Sequence, residues 1–326
     1  MKMEVLVLGY YNKSNLGDQL FILAFQKLFP KLTFTFTDMI TAGMVKSGRF
    51  GCFFIGGGSL LDGTPGIAKD AFPLLKNRII AYIGVGAETE IHPLHEELLS
   101  IAKLIAIRNP DTSILSDRIN NQNIISIPDL VYSLTPNLTP VERNSRLLFI
   151  PNFLVVPKHY DPYWKASAWQ RAKFSIAEAL DKLIEDKRIS GVDCFSMSVS
   201  KSCNDANAMV EIANLMKYGW DVNYRQSSGL LKEDARLVSL YASVITQRYH
   251  GIILAEMAQT PHAILSHHDK LAFHSPKHGE TVDYYSVSKH RIIETFDSII
   301  TDSYPKLAIN PNAYVDLIQR VETLTA

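Results

Sequence analysis

The sequence predicts an α/β protein of two domains, and three observations carry that expectation. Short runs rich in Val, Ile, Leu and Phe alternate with helical patterns in both halves, the arrangement of parallel sheets covered by helices. The chain's 326 residues are long for one core, and two domains of roughly 150 residues each are the natural division. Between the halves, Ser133-Leu134-Thr135-Pro136-Asn137-Leu138-Thr139-Pro140 carries two prolines and no strong periodicity, and reads as a linker. The expected boundaries are 1–135 for an N-terminal domain, 136–310 for a C-terminal domain and 311–326 for a helix folding back across the first.

In the first half, Val5-Leu6-Val7-Leu8 reads as a buried strand. A loop of turn formers follows, Gly9 to Gly17, and Asp18 is placed to N-cap a helix whose Phe21, Ile22, Phe25, Leu28 and Phe29 recur at helical spacing. Leu32–Thr37 alternates as a second strand, and Cys52–Ile55 is a third, ending on Gly56-Gly57-Gly58-Ser59. Ile79–Val85 and Leu104–Ile107 supply two more, the last ending on Arg108. In open α/β sheets ligands bind at the carboxyl ends of strands, so Asn15–Asp18, Gly56–Ser59 and Arg108 are expected to share one rim.

The second half restarts with strand Arg146–Ile150 and a helix from about Trp164 to Glu185. Strand Val192–Met197, helix Asn204–Tyr218, strand Asp221–Tyr224 and helix Leu231–Tyr241 follow, then strand Val244–Thr246. After it stands Gln247-Arg248-Tyr249-His250-Gly251, before a helix Ile252–Met257. In extended backbone, side chains at i and i+2 share a face, so Arg248 and His250 converge on one ligand if the strand persists that far. The helix beyond would aim free N–H groups at the same spot. Ala263–Ser266 is a further strand, and a helix from about Pro311 to Thr325 closes the chain.

Composition excludes several classes of function. Lys+Arg and Asp+Glu are 33 each, so no global basic field gathers nucleic acid or an anionic membrane. Any anion site must be local. Three cysteines, Cys52, Cys194 and Cys203, form neither a disulfide framework nor a cysteine zinc site, which suits a reducing cytoplasm. The apolar stretch Val5–Gly9 is too short for a signal sequence, and no run reaches the ~18 apolar residues of a membrane span.

The chemical signals each have a plain alternative. The glycine triplet Gly56–Gly58, with Ser59 after it, lets backbone N–H groups approach a ligand or simply makes a tight turn; neither a dinucleotide nor a nucleoside-triphosphate motif is satisfied. Asp18 is a helix cap or a base. Arg108 suits bidentate recognition of a carboxylate or phosphate, or an ion pair with Asp111, Asp117 or Asp129. Arg248 with His250 is the strongest pattern, an anion clamp beside a proton donor, against a salt bridge plus a buried histidine. Seven of the ten histidines lie between His250 and His290, among them His267, His268, His274 and His278, but their spacing matches no usual zinc site, and no metal is expected. Trp164, Trp169 and Phe174 read as core or interface more readily than as a sugar platform, whereas Tyr10 and Tyr11 are better placed to stack on a ring.

In order, Gly9-Tyr10-Tyr11 with Asn15-Leu16-Gly17-Asp18, Phe54-Ile55-Gly56-Gly57-Gly58-Ser59-Leu60, Ile107-Arg108, Pro128-Asp129, Val244-Ile245-Thr246-Gln247-Arg248-Tyr249-His250-Gly251 and Thr260-Pro261-His262-Ala263-Ile264 run through almost the whole chain. This set resembles the polysaccharide pyruvyl transferase family. The pieces correspond to that family's glycine–aromatic and N-x-G-D opening, glycine-triplet strand end, strand-terminal arginine, proline–aspartate step, R-x-H signature and proline strand entry. The chain departs at Gln19, where a second acid usually follows, and at Tyr249, where an aliphatic residue is common.

The resemblance implies an α/β protein of two Rossmann-like domains facing across a cleft, GT-B-like, acting in the biosynthesis of a cell-surface polysaccharide. The donor would be phosphoenolpyruvate, a co-substrate with no further cofactor, and the acceptor a sugar diol of a free glycan or a lipid-linked oligosaccharide. The product would be a cyclic pyruvate ketal. Arg248 would clamp the donor, assisted by the helix N-terminus at Gly251 and by Lys270. His250 would be the general acid and Asp18 the best available base. Tyr10, Asn15, Gly17, Gly56, Gly57, Gly58, Ser59 and Arg108 would line the acceptor side. The expected location is the cytoplasm, free or peripheral to the inner face of the membrane.

Two alternatives stand beside this reading. A nucleotide-sugar glycosyltransferase of GT-B architecture would need a carboxylate for the ribose, and Glu256 is the nearby candidate. A non-catalytic sugar- or anion-binding protein would bind without turnover.

Overall fold

A computed structural model of the chain describes residues 3–11, 15–58, 60–61, 63, 65–87, 90–109, 111–152, 162–200, 203–266, 281–283, 287–301, 310 and 312–325. The chain forms two compact units, one of residues 1–13, 17–135 and 309–326, the other of residues 14–16 and 136–308.

The first unit contains β1 (Glu4–Leu8), α1 (Leu16–Leu28, whose first residue is grouped with the second unit), β2 (Thr33–Thr37), α2 (Ala42–Lys46), β3 (Cys52–Gly58), α3 (Phe72–Leu75), β4 (Ile79–Val85), α4 (Pro93–Ile101), β5 (Leu104–Ile107), α5 (Ser113–Ser116), β6 (Ile124–Ser126) and a 3-10 helix, Leu130–Leu134. The strands pair in parallel in the order β2-β1-β3-β4-β5-β6. Helices cover both faces of such a sheet, so its central strands bury nearly every residue, as β3, β4 and β5 do. Packed rings of Phe25, Phe29, Phe34, Phe36 and Phe54 fill one side of it.

Two expectations are corrected here. The helix begins at Leu16 instead of after Asp18, because Leu16 is buried and its N–H is already bonded to the Met197 carbonyl at 3.1 Å. Asp18 therefore lies in the first turn and is not the cap. The third strand does not stop at Ile55 either. It runs through the glycines to Gly58, with Gly56 opposite Ile83 and Gly58 opposite Val85. A Cβ at Gly56 would stand 2.5 Å from the Ile83 carbonyl oxygen, and Gly57 has φ +82°, so only glycine continues the strand there.

The second unit contains β7 (Leu147–Ile150), α6 (Pro162–Glu185), β8 (Val192–Ser196), β9 (Val199–Ser200), β10 (Cys203–Asn204), α7 (Asp205–Ala213), a 3-10 turn at Gly219–Asp221, β11 (Asn223–Gln226), α8 (Leu231–Ser239), β12 (Ser243–Thr246), α9 (Tyr249–Met257), β13 (His262–Ser266), β14 (Thr281–Asp283) and α10 (Lys289–Thr301). Its parallel sheet runs β11-β8-β7-β12-β13-β14, with β9 and β10 a separate antiparallel pair. Counted within the unit, the order is 3-2-1-4-5-6, the Rossmann arrangement. Leu147, Phe149, Cys194, Ile245, Ala263 and Leu265 from the sheet meet Ile176, Leu180, Leu183, Met209, Ile212 and Phe296 from the helices in its core. The closing helix, α11 (Val315–Thr325), starts four residues later than expected and belongs to the first unit, where the Tyr314 hydroxyl donates to the Asp129 carbonyl at 2.6 Å.

Candidate functional site

In a Rossmann sheet the chain leaves the middle in opposite directions, and the crevice at that switch point is where ligands bind. In the second unit the switch lies between β7 and β12, paired from Ser243↔Leu147 to Thr246↔Ile150. Beyond the pairing, the Gln247 N–H donates to the Ile150 carbonyl at 2.8 Å, and the buried Gln247 side chain accepts from the Asn152 N–H at 3.0 Å. The two strand ends are thus locked together where Arg248 and His250 follow.

The strand does not persist to His250, contrary to the sequence expectation. The Thr246 hydroxyl accepts from the Arg248 N–H at 3.0 Å and donates to the Arg248 carbonyl at 3.1 Å, which turns the chain out of the sheet. Arg248 becomes the N-cap residue of α9, with no side-chain capping bond, and the helix starts at Tyr249, three residues earlier than expected. His250 lies in its first turn. Arg248 and His250 are brought together by a tight turn, not by strand alternation. Gly251 is the contact point of that turn: a Cβ there would stand 2.3 Å from Thr246 Oγ1, so glycine lets the helix lie against the strand end.

Burial separates His250 from its neighbours. From Tyr249 to Met257 every residue of α9 is buried except His250, which is half-buried. A helix buried on all sides is core by composition, and its one partly open position is the histidine at its N-terminus. The Tyr249 ring packs edge-on against the imidazole at 5.4 Å between centroids, so the departure at position 249 supports the histidine from within the core.

Arg248 is held by a residue the sequence reading passed over. Asp205, the first residue of α7, is fully buried, and the Arg248 Nε lies 3.1 and 3.2 Å from its two carboxylate oxygens, while Nη2 donates to Oδ1. Asp205 Oδ2 also accepts the N–H groups of Met197 and Ser198, each at 3.0 Å. Burial raises the carboxyl from its ordinary value, opposed by the guanidinium and the two N–H groups. The Asn204-Asp205 pair before a helical pattern carried a capping signal, and Asn204 does cap α7; the ion pair spans 43 residues and has no local signature. Ser198, on the loop that Asp205 holds, forms an antiparallel bridge with Asn15.

In the first unit the switch lies between β1 and β3. Gly9 and Tyr10 leave β1 there, with Tyr10 exposed. A cavity of about 90 Å³ lies beside them, lined by Leu8, Gly9, Tyr10, Asp38, Pro65 and His95 among others. Tyr11 is corrected from ring-stacking residue to core: it is buried and its hydroxyl donates to the Gly56 carbonyl at 2.8 Å. Burial pushes that hydroxyl well above its ordinary pKa, and the Asp18 carboxylate adds to the shift. Gly17 is buried in the first turn of α1.

Of the readings left open for Arg108, the ion pair with Asp129 is the one formed, at 3.0 Å. The Arg108 side chain is 5% exposed and the Asp129 side chain 0%, which removes the arginine from any open rim. Asp129 also accepts the Val131 N–H at 2.9 Å. Glu256, the carboxylate a ribose would need, is buried within α9. Trp169 is core, its indole N–H donating to Glu211 at 2.8 Å. Ser59, Lys270, His267, His268, His274 and His278 lie outside the described residues. Among the described residues no group of three or more His, Cys, Asp or Glu side chains is placed to hold a metal ion, and no helix is long and apolar enough to cross a membrane.

A family model described as polysaccharide pyruvyl transferase matches residues 15–269, which include both the Asn15 loop and the Arg248–His250 turn. No curated protein matches the chain significantly. Among solved structures, the UDP-GlcNAc 2-epimerase of Methanocaldococcus jannaschii, in complex with UDP-GlcNAc and UDP, is similar with a TM-score of 0.63 at 10% identity, covering 99% of this chain and 100% of that one. A putative UDP-N-acetylglucosamine 2-epimerase from Listeria monocytogenes gives 0.62 at 11% identity, covering 99% and 96%. The enzyme from Neisseria meningitidis bound to UDP-GlcNAc gives 0.59 at 12%, covering 98% and 100%. At these identities the likeness concerns the fold, the GT-B-like class of two Rossmann-like units.

Proposed function

The chain belongs to the polysaccharide pyruvyl transferase family, and from that premise we propose that it transfers the enolpyruvyl carbon skeleton of phosphoenolpyruvate to two hydroxyls of one sugar, giving a cyclic pyruvate ketal and inorganic phosphate. The observation that carries this reading is the turn at the β7/β12 switch point, where an arginine caps α9 and the helix's one half-open residue is a histidine. Phosphoenolpyruvate is a small, highly charged anion with no base or ribose, so it needs a guanidinium and a helix N-terminus and no dinucleotide fingerprint.

In the first step a sugar hydroxyl oxygen attacks C2 of the enol, the C=C π pair takes the proton of the His250 imidazolium at C3, and the hydroxyl's own proton passes to a base. A methyl group and a C–O bond have formed. In the second step the neighbouring hydroxyl bonds to the same carbon as the C–O bond to phosphate breaks, and its proton returns to His250. Histidine suits both transfers because its ordinary pKa of roughly 6.5 makes both protonation states available near neutrality. Arg248 holds the donor carboxylate or phosphate, with Lys270 as a further donor; Gly251 is withdrawn from that role, because its N–H already donates to the Arg248 carbonyl at 3.0 Å. Asp18 is the base in this scheme, and Tyr10, Asn15, Gly17, Ser59 and the Gly56–Gly58 strand end serve the acceptor. Arg108 is reassigned to supporting the first unit through Asp129.

The test is phosphate release from phosphoenolpyruvate across a panel of methyl glycosides and lipid-linked saccharides, with NMR detection of the ketal methyl. Acceptor-dependent phosphate and a new methyl singlet are expected. Stabilisation by UDP-, GDP- or CMP-sugars but not by phosphoenolpyruvate in a thermal shift assay would instead favour a nucleotide-sugar enzyme.

A further inference from the structure

We propose that Asp205 is the positioning residue of the donor site, setting through one carboxylate the orientation of the Arg248 guanidinium and of the Met197–Ser198 segment to which Asn15 is bridged. This rests on the pyruvyl-transfer reading given above. Asp205 is fully buried and divides its oxygens between two tasks. Oδ2 receives both backbone N–H groups of Met197 and Ser198 at 3.0 Å, and Oδ1 receives Arg248 Nη2, with Nε shared between the two oxygens. The loop fixed in this way is the one on which Ser198 bridges Asn15 and the Met197 carbonyl accepts from the Leu16 N–H at 3.1 Å. One buried acid therefore anchors the R-x-H arginine and the first residue of the N-x-G-D motif within the same unit.

The physical consequence is preorganisation. A guanidinium recognises a carboxylate or phosphate through a planar fork, so its plane must be set before the anion arrives. Arginine has many rotamers in water, and a ligand that must order it binds more weakly. Asp205 grips the Nε–Nη2 edge and fixes that plane. Its charge also offsets that of Arg248, so what it contributes is geometry and not net attraction. Removing it would strengthen the bare charge while loosening the fork, and the loosening is the larger effect.

Asp205→Asn separates the two tasks. The asparagine oxygen at the Oδ2 position keeps the Met197 and Ser198 bonds, while its NH₂ faces Nη2 donor to donor and leaves Arg248 only the 3.2 Å Nε contact, which loosens the guanidinium plane. Phosphoenolpyruvate is titrated calorimetrically into the native chain, Asp205→Asn, Arg248→Lys and the double variant, without acceptor and at equal folded fraction by circular dichroism. The expected result is a rise in Kd of about tenfold in the native background, the scale of ordering one long side chain, and of less than threefold in the Arg248→Lys background, where the fork is already gone. An unchanged or lowered Kd in Asp205→Asn, or equal fold-changes in the two backgrounds, overturns the proposal, because a merely structural aspartate would act independently of residue 248. If Asp205→Asn does not fold, Asp205→Glu, which keeps the charge but displaces it by a methylene, carries the same comparison. A native chain that binds no phosphoenolpyruvate removes the functional reading and this proposal with it; native binding with an insensitive Asp205→Asn removes this proposal alone.

Discussion

Two arginines in this chain follow apolar parallel strands, and each pairs with a buried aspartate, yet the structure gives them opposite surroundings. Arg108 follows β5, is 5% exposed and closes on Asp129 inside the first unit. Arg248 follows β12, is 14% exposed and closes on Asp205 beside a half-open histidine. Topology accounts for the difference. β12 borders the switch point of its sheet, where diverging connections leave a crevice, whereas β5 lies two strands from the β1/β3 switch, and the chain beyond it is covered by the 3-10 helix and Tyr314. A strand-terminal arginine is therefore a candidate anion site only where the sheet order opens a crevice at its end.

This contrast can be broken at either arginine. The largest expected effect is on stability: Arg108→Ala leaves a buried carboxylate without its cation and should cost about 3–5 kcal/mol, read as a lower midpoint in urea unfolding. Phosphoenolpyruvate affinity per folded molecule should be unchanged. Arg248→Ala strands the buried Asp205 in the same way and should also lower stability, but it should in addition weaken donor binding per folded molecule by about 2–5 kcal/mol in titration calorimetry. If Arg108→Ala abolished donor binding in well-folded protein, the distinction between the two sites would be lost.

Gly251→Ala is next, at about 1–3 kcal/mol of stability from overpacking against Thr246 Oγ1. Thermal unfolding of Gly251→Ala in the native and in the Thr246→Ala background checks this: Thr246→Ala is itself destabilising because it removes two hydrogen bonds, but the further loss on Gly251→Ala should be smaller there, where Oγ1 is already gone. Asp18→Asn is the smallest. Within the first turn of α1 it should lose only ~0.3–1 kcal/mol of helix-dipole interaction, whereas a base would show at least a tenfold fall in turnover. A normal rate in Asp18→Asn would remove the base role and leave Asp18 as a helix-terminus residue.

The sequence made the strands legible because central parallel strands bury both faces and read as unbroken apolar runs, as Val5–Leu8, Ile79–Val85 and Leu104–Ile107 do. It passed over β6 and β14, three residues each at sheet edges, which leave too little periodicity to detect. It also missed α10, whose apolar face follows a histidine-rich stretch that drew attention to metal binding. The Arg248–His250 pair was visible as a motif, but its geometry was not, because one hydroxyl, that of Thr246, decides where the strand ends. Asp205 was beyond local reading because it acts through a partner 43 residues away in sequence, with no pattern linking the two; Asp129 stood among the three expected partners of Arg108, and only the fold, which pairs residues 21 apart, selects it.

In the proposed reaction the turn at residues 248–250 binds the donor and delivers a proton to it. The most direct measurement pairs phosphoenolpyruvate binding with acceptor-dependent phosphate release in the native chain and in His250→Ala. A Kd within about threefold of native and turnover lower by ~10² to 10⁴ are expected for His250→Ala. Native turnover in His250→Ala, or a loss of donor binding that accounts for all of the lost rate, would contradict that role of the turn.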